Sequence, residues 1–165
     1  MSSDQSTIIR VIAQEEAVSV FAAIKHLSAM PQSDETDRHL MNGDTVLILA
    51  GEIGYALLNF NPAYPSFKRL DIPEIQDLNV HPDHRRQGVA ESLVLACEDE
   101  AHAQGADMIG LGVGLGARYG AAQRLYCRMG YLPDGAGLIY DTIPVPQGNS
   151  VVNDDDLCLM MVKSL

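Results

Sequence analysis

In the stretch VHPDHRRQGVA, residues 80–90, two arginines and two histidines crowd ahead of a glycine, with only Asp83 opposing them. The chain as a whole leans the other way, with 22 acidic and 11 basic side chains and a net charge of −11. The chemistry such a stretch offers is anion binding. Pro82 breaks an extended segment that ends at Val80, and Gly88 opens a helix. The first N–H groups of a helix have no intrahelical partner and carry a partial positive charge. Gly88 puts no side chain between those groups and an anion, Ala90 is nearly as small, and Arg85 and Arg86 add donors. A phosphate held this way is gripped mostly by backbone, at about 1.5–3 kcal/mol per charge-assisted hydrogen bond.

Arg85-Arg86-Gln87-Gly88-Val89-Ala90 fits the pattern Q/R-x-x-G-x-G/A, and in this it resembles the acyl-CoA pyrophosphate motif of the GNAT superfamily of N-acetyltransferases. The context strengthens the likeness. DLNVHPDHR before it resembles that family's fourth strand and its exit. AAQRLYCRMGY, some way downstream, is similar to the family's A-x-x-L-Y-x-x-x-G-F/Y segment. The specific matches run from Glu74 to Tyr131. The resemblance implies acetyl-CoA as co-substrate, no metal, and direct transfer of the acetyl group to an amine in a ternary complex, without a covalent enzyme intermediate. It implies that the backbone of Leu78, Asn79 and Val80 pairs with the pantetheine arm. The amides of Arg85, Arg86, Gln87, Gly88, Val89 and Ala90 would hold the pyrophosphate, with Gln123 also among the cofactor-binding positions. Tyr126 would lie near the thioester sulfur, and Glu74 near where some members keep a general base. Such a transfer needs a proton acceptor, because an ammonium must lose a proton before it can attack a thioester, and a carboxylate whose pKa is raised by burial can take it. The resemblance favours Glu74 for that role; its structural alternative is an exposed charge at a strand end. Asp77 is weaker, because in a regular strand it faces the opposite side. Tyr126, on the apolar stripe of its predicted helix, is either a core tyrosine with a satisfied hydroxyl or a proton donor to the leaving thiolate. One position departs: Tyr119 stands where many members keep a pantetheine-binding asparagine. An acyl-CoA sensor without turnover would use the same pocket.

Two other motifs compete. GVGLGA, Gly112 to Ala117, satisfies the dinucleotide fingerprint G-x-G-x-x-A, with Asp134 downstream as a ribose-binding acid. Too little chain follows Asp134 to build a second mononucleotide half. Gly110, Gly112, Gly114 and Gly116 also alternate, which strips one face of a strand bare for close approach of backbone or ligand. In HPDH, His81 and His84 have metal-ligand types, but Pro82 breaks the helix that would align them and no third ligand follows.

The elements that must position these residues can be read from periodicity. TIIRVIA is a first strand. A helix follows from about Glu15 to Ala29, with Val18, Ala22 and Leu27 on its apolar side. MPQSDETDRHL is a loop or short helix. TVLILA and IGYALLNF form a hairpin around Gly51-Glu52, NPAYPSF is a proline loop, and EIQDLNV is a strand. Val89, Leu93, Cys97 and Ala101 make the stripe of a helix over Gly88–Gln104, capped by Gly105. MIGLGVGLG is a strand, Ala117–Met129 a helix ended by Gly130, and DLCLMMV the last strand. The order is an α/β or α+β layered domain. With the resemblance it becomes a central mixed, mostly antiparallel sheet of about six to seven strands flanked by helices, residues 1–165 forming a single domain.

Composition narrows the partners. The acidic balance disfavours nucleic acid, which needs basic surface. VLILA and its like are too short to cross a bilayer. The N-terminal residues lack the basic and apolar regions of a signal peptide. The three cysteines, Cys97, Cys127 and Cys158, are scattered without metal spacing, which fits a reducing cytoplasm. The acceptor side should lie around Met30–Leu40, the Asn61–Phe67 loop and residues 134–156. Asp34, Glu35, Asp37 and Asp154–Asp156 there favour a cationic amine. A homodimer is compatible with all of this.

Overall fold

The computed structural model describes residues 7–27 and 34–165. They hold eight strands and five α-helices, falling in two compact units, Met1–Asn59 with Ile75–Glu100 and Phe60–Glu74 with Ala101–Leu165.

In the first unit β1 (Ile9–Val11), β2 (Thr45–Ala50), β3 (Gly54–Asn59) and β4 (Glu74–Val80) lie side by side in that order. β1 and β3 both run antiparallel to β2. The β2–β3 hairpin closes through Gly51, Glu52 and Ile53, one residue longer than expected; Gly51 turns it at φ +54°. α1 (Gln14–Ile24) buries Ala17, Phe21 and Ile24. That i, i+4, i+7 face is rotated from the expected one, and Ala22 is exposed. α2 (Asp34–Asn42) resolves MPQSDETDRHL in favour of a helix from Asp34 onward; Met30 to Ser33 lie outside the described residues. Phe21, Leu40, Leu47 and Tyr55, all fully buried, form the middle of this unit's core. α4 (Val89–Ala103) places Val89, Leu93, Cys97 and Ala101 inside, as its stripe predicts, but Glu98 is also buried.

In the second unit the order is β5 (Met108–Gly114), β8 (Leu157–Ser164), β6 (Leu132–Tyr140) and β7 (Ile143–Pro144), all paired antiparallel. α3 (Pro65–Arg69) is a single short helix inside the proline loop, with Pro65 at its first turn. α5 (Gly120–Arg128) starts after one 3₁₀ turn at Ala117–Tyr119, three residues later than its sequence suggests. Eight strands exceed the expected six to seven because β7 is only two residues long. It is joined to β6 through Asp141 and Thr142, at φ +45° and +67°. Two left-handed residues in a two-residue loop give the turn whose twist matches a hairpin, but neither is the Asn or Gly that usually announces it.

The glycines of β5 are filled from within. An added Cβ on Gly110 would lie 2.4 Å from the Phe67 ring, one on Gly112 3.0 Å from Met160 Sδ, and one on Gly114 2.3 Å from the Tyr119 ring. Of the close approach by backbone or ligand expected at this face, the chain's own side chains supply it at Gly110 and Gly114, while Gly112 stays exposed. Phe67 and Tyr64 meet edge-to-face at 4.9 Å over a core with Ile72, Ile139 and Met160. Gly110→Ala should lower unfolding free energy by about 1–3 kcal/mol through overpacking. Phe67→Ala alone should cost about 3–5 kcal/mol. Urea unfolding of the double variant should show less than the sum, because the new methyl enters vacated space; strict additivity would contradict this packing.

Candidate active site

The segment Arg85–Ala90 folds as the sequence requires. The Gly88 carbonyl accepts from Ser92 N at 3.0 Å, so Gly88 is the cap from which α4 starts. The amides of the helix's first turn have no helical partner to the N-terminal side. Arg86 and Gly88 lie at φ +62° and +83° on either side of Gln87, and nothing lies within 4 Å of a Cβ built on Gly88. Glycine is needed there for its conformation as much as for space. Arg85 through Gly88 are exposed, Val89 is buried and Ala90 half-buried.

Arg85 and Gln87 also have a structural part. Arg85 Nε donates 3.1 Å back to the carbonyl of Val80, tying the loop to the end of β4. Gln87 Nε2 does the same at 3.2 Å to Asp83 O. His81 N donates to Ile53 O at 2.7 Å, anchoring the exit of β4 to the β2–β3 turn. The rings of His81 and His84 stand 5.8 Å apart, and no group of three metal-ligating side chains occurs among the described residues. Leu78, Asn79 and Val80 are half-buried on β4. Asp77 sits at φ +50°, so the strand is not regular there, and the face argument that set Asp77 against Glu74 does not hold past that point.

In the second unit, Tyr126 is 7% exposed on α5, with its ring centroid 6.0 Å from that of Tyr131. Gln123 Nε2 donates 2.8 Å to Gly114 O, holding α5 to the end of β5. Tyr119 turns to the loop before β8: its hydroxyl donates 2.7 Å to Asp155 Oδ1 and accepts from Arg118 Nη2 at 2.8 Å. Arg118 also pairs with Asp155 and stacks over the Tyr119 ring at 4.8 Å. Burial first, and then the Asp155 carboxylate, raises the Tyr119 pKa. Its hydroxyl is thus engaged within the unit.

Two expected acceptor-side segments meet here. Tyr64, 3% exposed in the Asn61–Phe67 loop, donates 2.8 Å to Asp134 Oδ2, and burial raises its pKa ahead of that carboxylate's effect. Asp134 opens a bulge in β6: Pro133 pairs with Met161 and Leu138 with Leu159, so four residues span what one residue spans on β8. Gly135 and Gly137, at φ +91° and +80°, allow it. Tyr140 holds Asp154 in the same manner, 2.8 Å. Cys158 is half-buried on β8, within the field of Glu74, Asp156 and Asp134. Burial, followed by those three carboxylates, pushes its thiol up to about 11. Sequence reasoning placed Glu74 and Asp134 without joining them. The side chains of Asp34 and Glu35 lie outside what is described.

The comparisons agree with this architecture. Residues 20–131 match the model of the acetyltransferase (GNAT) family, and the chain belongs to that family of acyltransferases. No curated protein sequence matches it. Its fold is similar to that of an IAA acetyltransferase from Bacillus cereus ATCC 14579, with 14% identity, TM-score 0.67, 96% of this chain and 99% of that one covered. The ribosomal-protein-S18-alanine N-acetyltransferase from Escherichia coli gives 17% identity, TM-score 0.65, and coverage of 95% and 92%. A GNAT family acetyltransferase from Elizabethkingia anophelis with acetyl-CoA bound gives 15%, 0.67, and 98% and 100%. No helix among the described residues is long and apolar enough to cross a membrane.

The three thiols differ enough to be told apart. Cys97 is fully buried and its pKa raised, Cys158 is half-buried, and Cys127 is exposed on α5. With a pKa near 11, about one thousandth of Cys158 is thiolate at pH 8. An aromatic disulfide reagent at pH 8 should therefore titrate one thiol of the native protein quickly, and Cys127→Ser should remove that phase. A fast phase surviving in Cys127→Ser would contradict these environments.

Proposed function

We propose that this chain is an N-acetyltransferase, acting as one catalytic domain, that passes acetyl from acetyl-CoA directly to an amine. The observation that carries the reading is the Arg85–Ala90 loop. Its two left-handed residues and the uncovered glycine cap of α4 leave helix-start amides facing open space, which suits a pyrophosphate. The pantetheine arm would follow the backbone of Leu78–Val80, with Arg85 bridging strand and loop. Acetyl-CoA bound in a solved relative of the same fold supports this choice of co-substrate.

The chemistry asked of the side chains is modest. Holding amine and thioester together supplies several kcal/mol of the barrier reduction. Glu74 takes the ammonium proton, directly or through water. The nitrogen then attacks the thioester carbonyl, the C–S bond breaks, Tyr126 protonates the departing thiolate, and the second proton shed by the acylated nitrogen restores the Tyr126 hydroxyl. For the acceptor, the negative field of Glu74, Asp156 and Asp134 that raises the Cys158 pKa, with Asp134 held by Tyr64, favours a cationic amine over an anionic one.

Acetyl-CoA at about 100 times its Kd should add about 2.7 kcal/mol of stability, a rise in Tm of about 5–10 °C. Gly88→Val should remove that rise, since valine cannot adopt φ +83° without strain. No shift in the parent protein at millimolar acetyl-CoA would sink the reading. In a thiol-release assay over an amine panel, polyamines and aminoglycosides should outpace acidic amino acids. Tyr126→Phe should bind acetyl-CoA normally and lose about 10²-fold or more in kcat; a Tyr126→Phe enzyme at full rate would remove that residue from the mechanism.

A further inference from the structure

Asp77 stands in the middle of β4 in a conformation that strands do not use. Its φ of +50° is reached by aspartate more readily than by most residues, but still at a cost. Residues on both sides of it remain strand. Such a residue persists only where its surroundings over-determine it, and here the surroundings are visible. Tyr55 Oη donates 2.9 Å to Asp77 Oδ2. Asn79 Nδ2 lies 2.9 Å from Asp77 Oδ1 and 2.9 Å from the Asp77 carbonyl oxygen, and 3.3 Å from Tyr55 Oη. The three side chains close a ring of hydrogen bonds across β3 and β4. Its fixed point is Tyr55, fully buried, with its ring edge-on to Phe21 at 5.5 Å.

Two consequences bear on the site. Both carboxylate oxygens of Asp77 already accept hydrogen bonds from the fold, and the left-handed residue breaks the two-residue alternation of side chains. Everything after it on β4, namely Leu78, Asn79 and Val80, takes its orientation from that break. Asn79 is both a member of the ring and part of the segment proposed for pantetheine. Gly54 of β3 fits the same arrangement, since a Cβ there would lie 2.9 Å from Asn79 O.

We propose that Asp77 is a positioning residue, not the general base: with Tyr55 and Asn79 it locks the left-handed step in β4 that presents the backbone of Leu78–Val80 to acetyl-CoA. This rests on the acetyl-CoA reading above. The probe is acetyl-CoA itself, titrated calorimetrically into the full chain and its variants, each first checked for a cooperative thermal transition. Asp77→Ala, which loses both the ring and the residue's tolerance of positive φ, should bind about tenfold more weakly or worse. Asp77→Gly keeps the tolerance and should bind better than Asp77→Ala. Asp77→Asn, able to rebuild part of the ring, should lie nearest the parent. Tyr55→Phe should weaken binding severalfold while leaving every group on β4 in place, and it keeps the test alive if Asp77→Ala fails to fold. A proton acceptor would give the reverse pattern: acetyl-CoA affinity unchanged in all four variants, with kcat lost by about 10²-fold or more in Asp77→Asn. That result would overturn the proposal. Failure of the parent protein to bind acetyl-CoA is a separate outcome, which takes down the acetyl-CoA reading and this proposal with it.

Discussion

The second unit depends on β5 having no side chains on one face. Gly110 admits the ring of Phe67 and Gly114 admits that of Tyr119, each to where even a methyl group would collide. Once Phe67 is seated, α3 and its preceding loop are fixed, and Tyr64, three residues earlier, meets Asp134. Once Tyr119 is seated, its hydroxyl reaches Asp155, and the loop before β8 is fixed in turn. Close packing transmits position in this way because a well-filled interior has little room for alternatives. The glycine alternation that looks like a nucleotide motif is thus the means by which two loops acquire definite places.

In the first unit the corresponding constraint is on backbone conformation. Asp77, Arg86 and Gly88 all lie in the left-handed region. Together they give β4 and its exit a path that neither a regular strand nor an ordinary turn would follow. Arg85 closes that path on Val80. The strand, the loop and the start of α4 therefore form one continuous element, whose shape is set by conformations that few residue types accept.

Much of this was legible in the residues. The stripe of α4, the β2–β3 pair and the Arg85–Ala90 motif all rest on periodicity or on glycine chemistry, which act locally. Three features were hidden for a common reason. The β6–β7 turn uses Asp141 and Thr142, which carry no turn signature strong enough to be read. The rotation of α1 toward Ala17, Phe21 and Ile24 is decided by what packs against it, since Ala22 would serve equally well by type. The commitment of Tyr119 to Asp155 joins residues far apart in the chain. The irregularity at Asp77 was likewise invisible, and it breaks the regular alternation of side chains that a straight strand would have. Local signals located the elements; the partners of individual polar groups came only with tertiary structure.

Four of the six tyrosines hold an aspartate by a hydrogen bond: Tyr55 with Asp77, Tyr64 with Asp134, Tyr119 with Asp155 and Tyr140 with Asp154. A chain with twice as many acids as bases has too few cations to pin its carboxylates in pairs. A phenol fastens a carboxylate without cancelling its charge, and such a dipolar clasp is far less weakened by dissolved electrolyte than an exposed ion pair. The loops of this protein are therefore built to keep their places across a wide range of ionic strengths, while the surface remains as negative as its composition makes it.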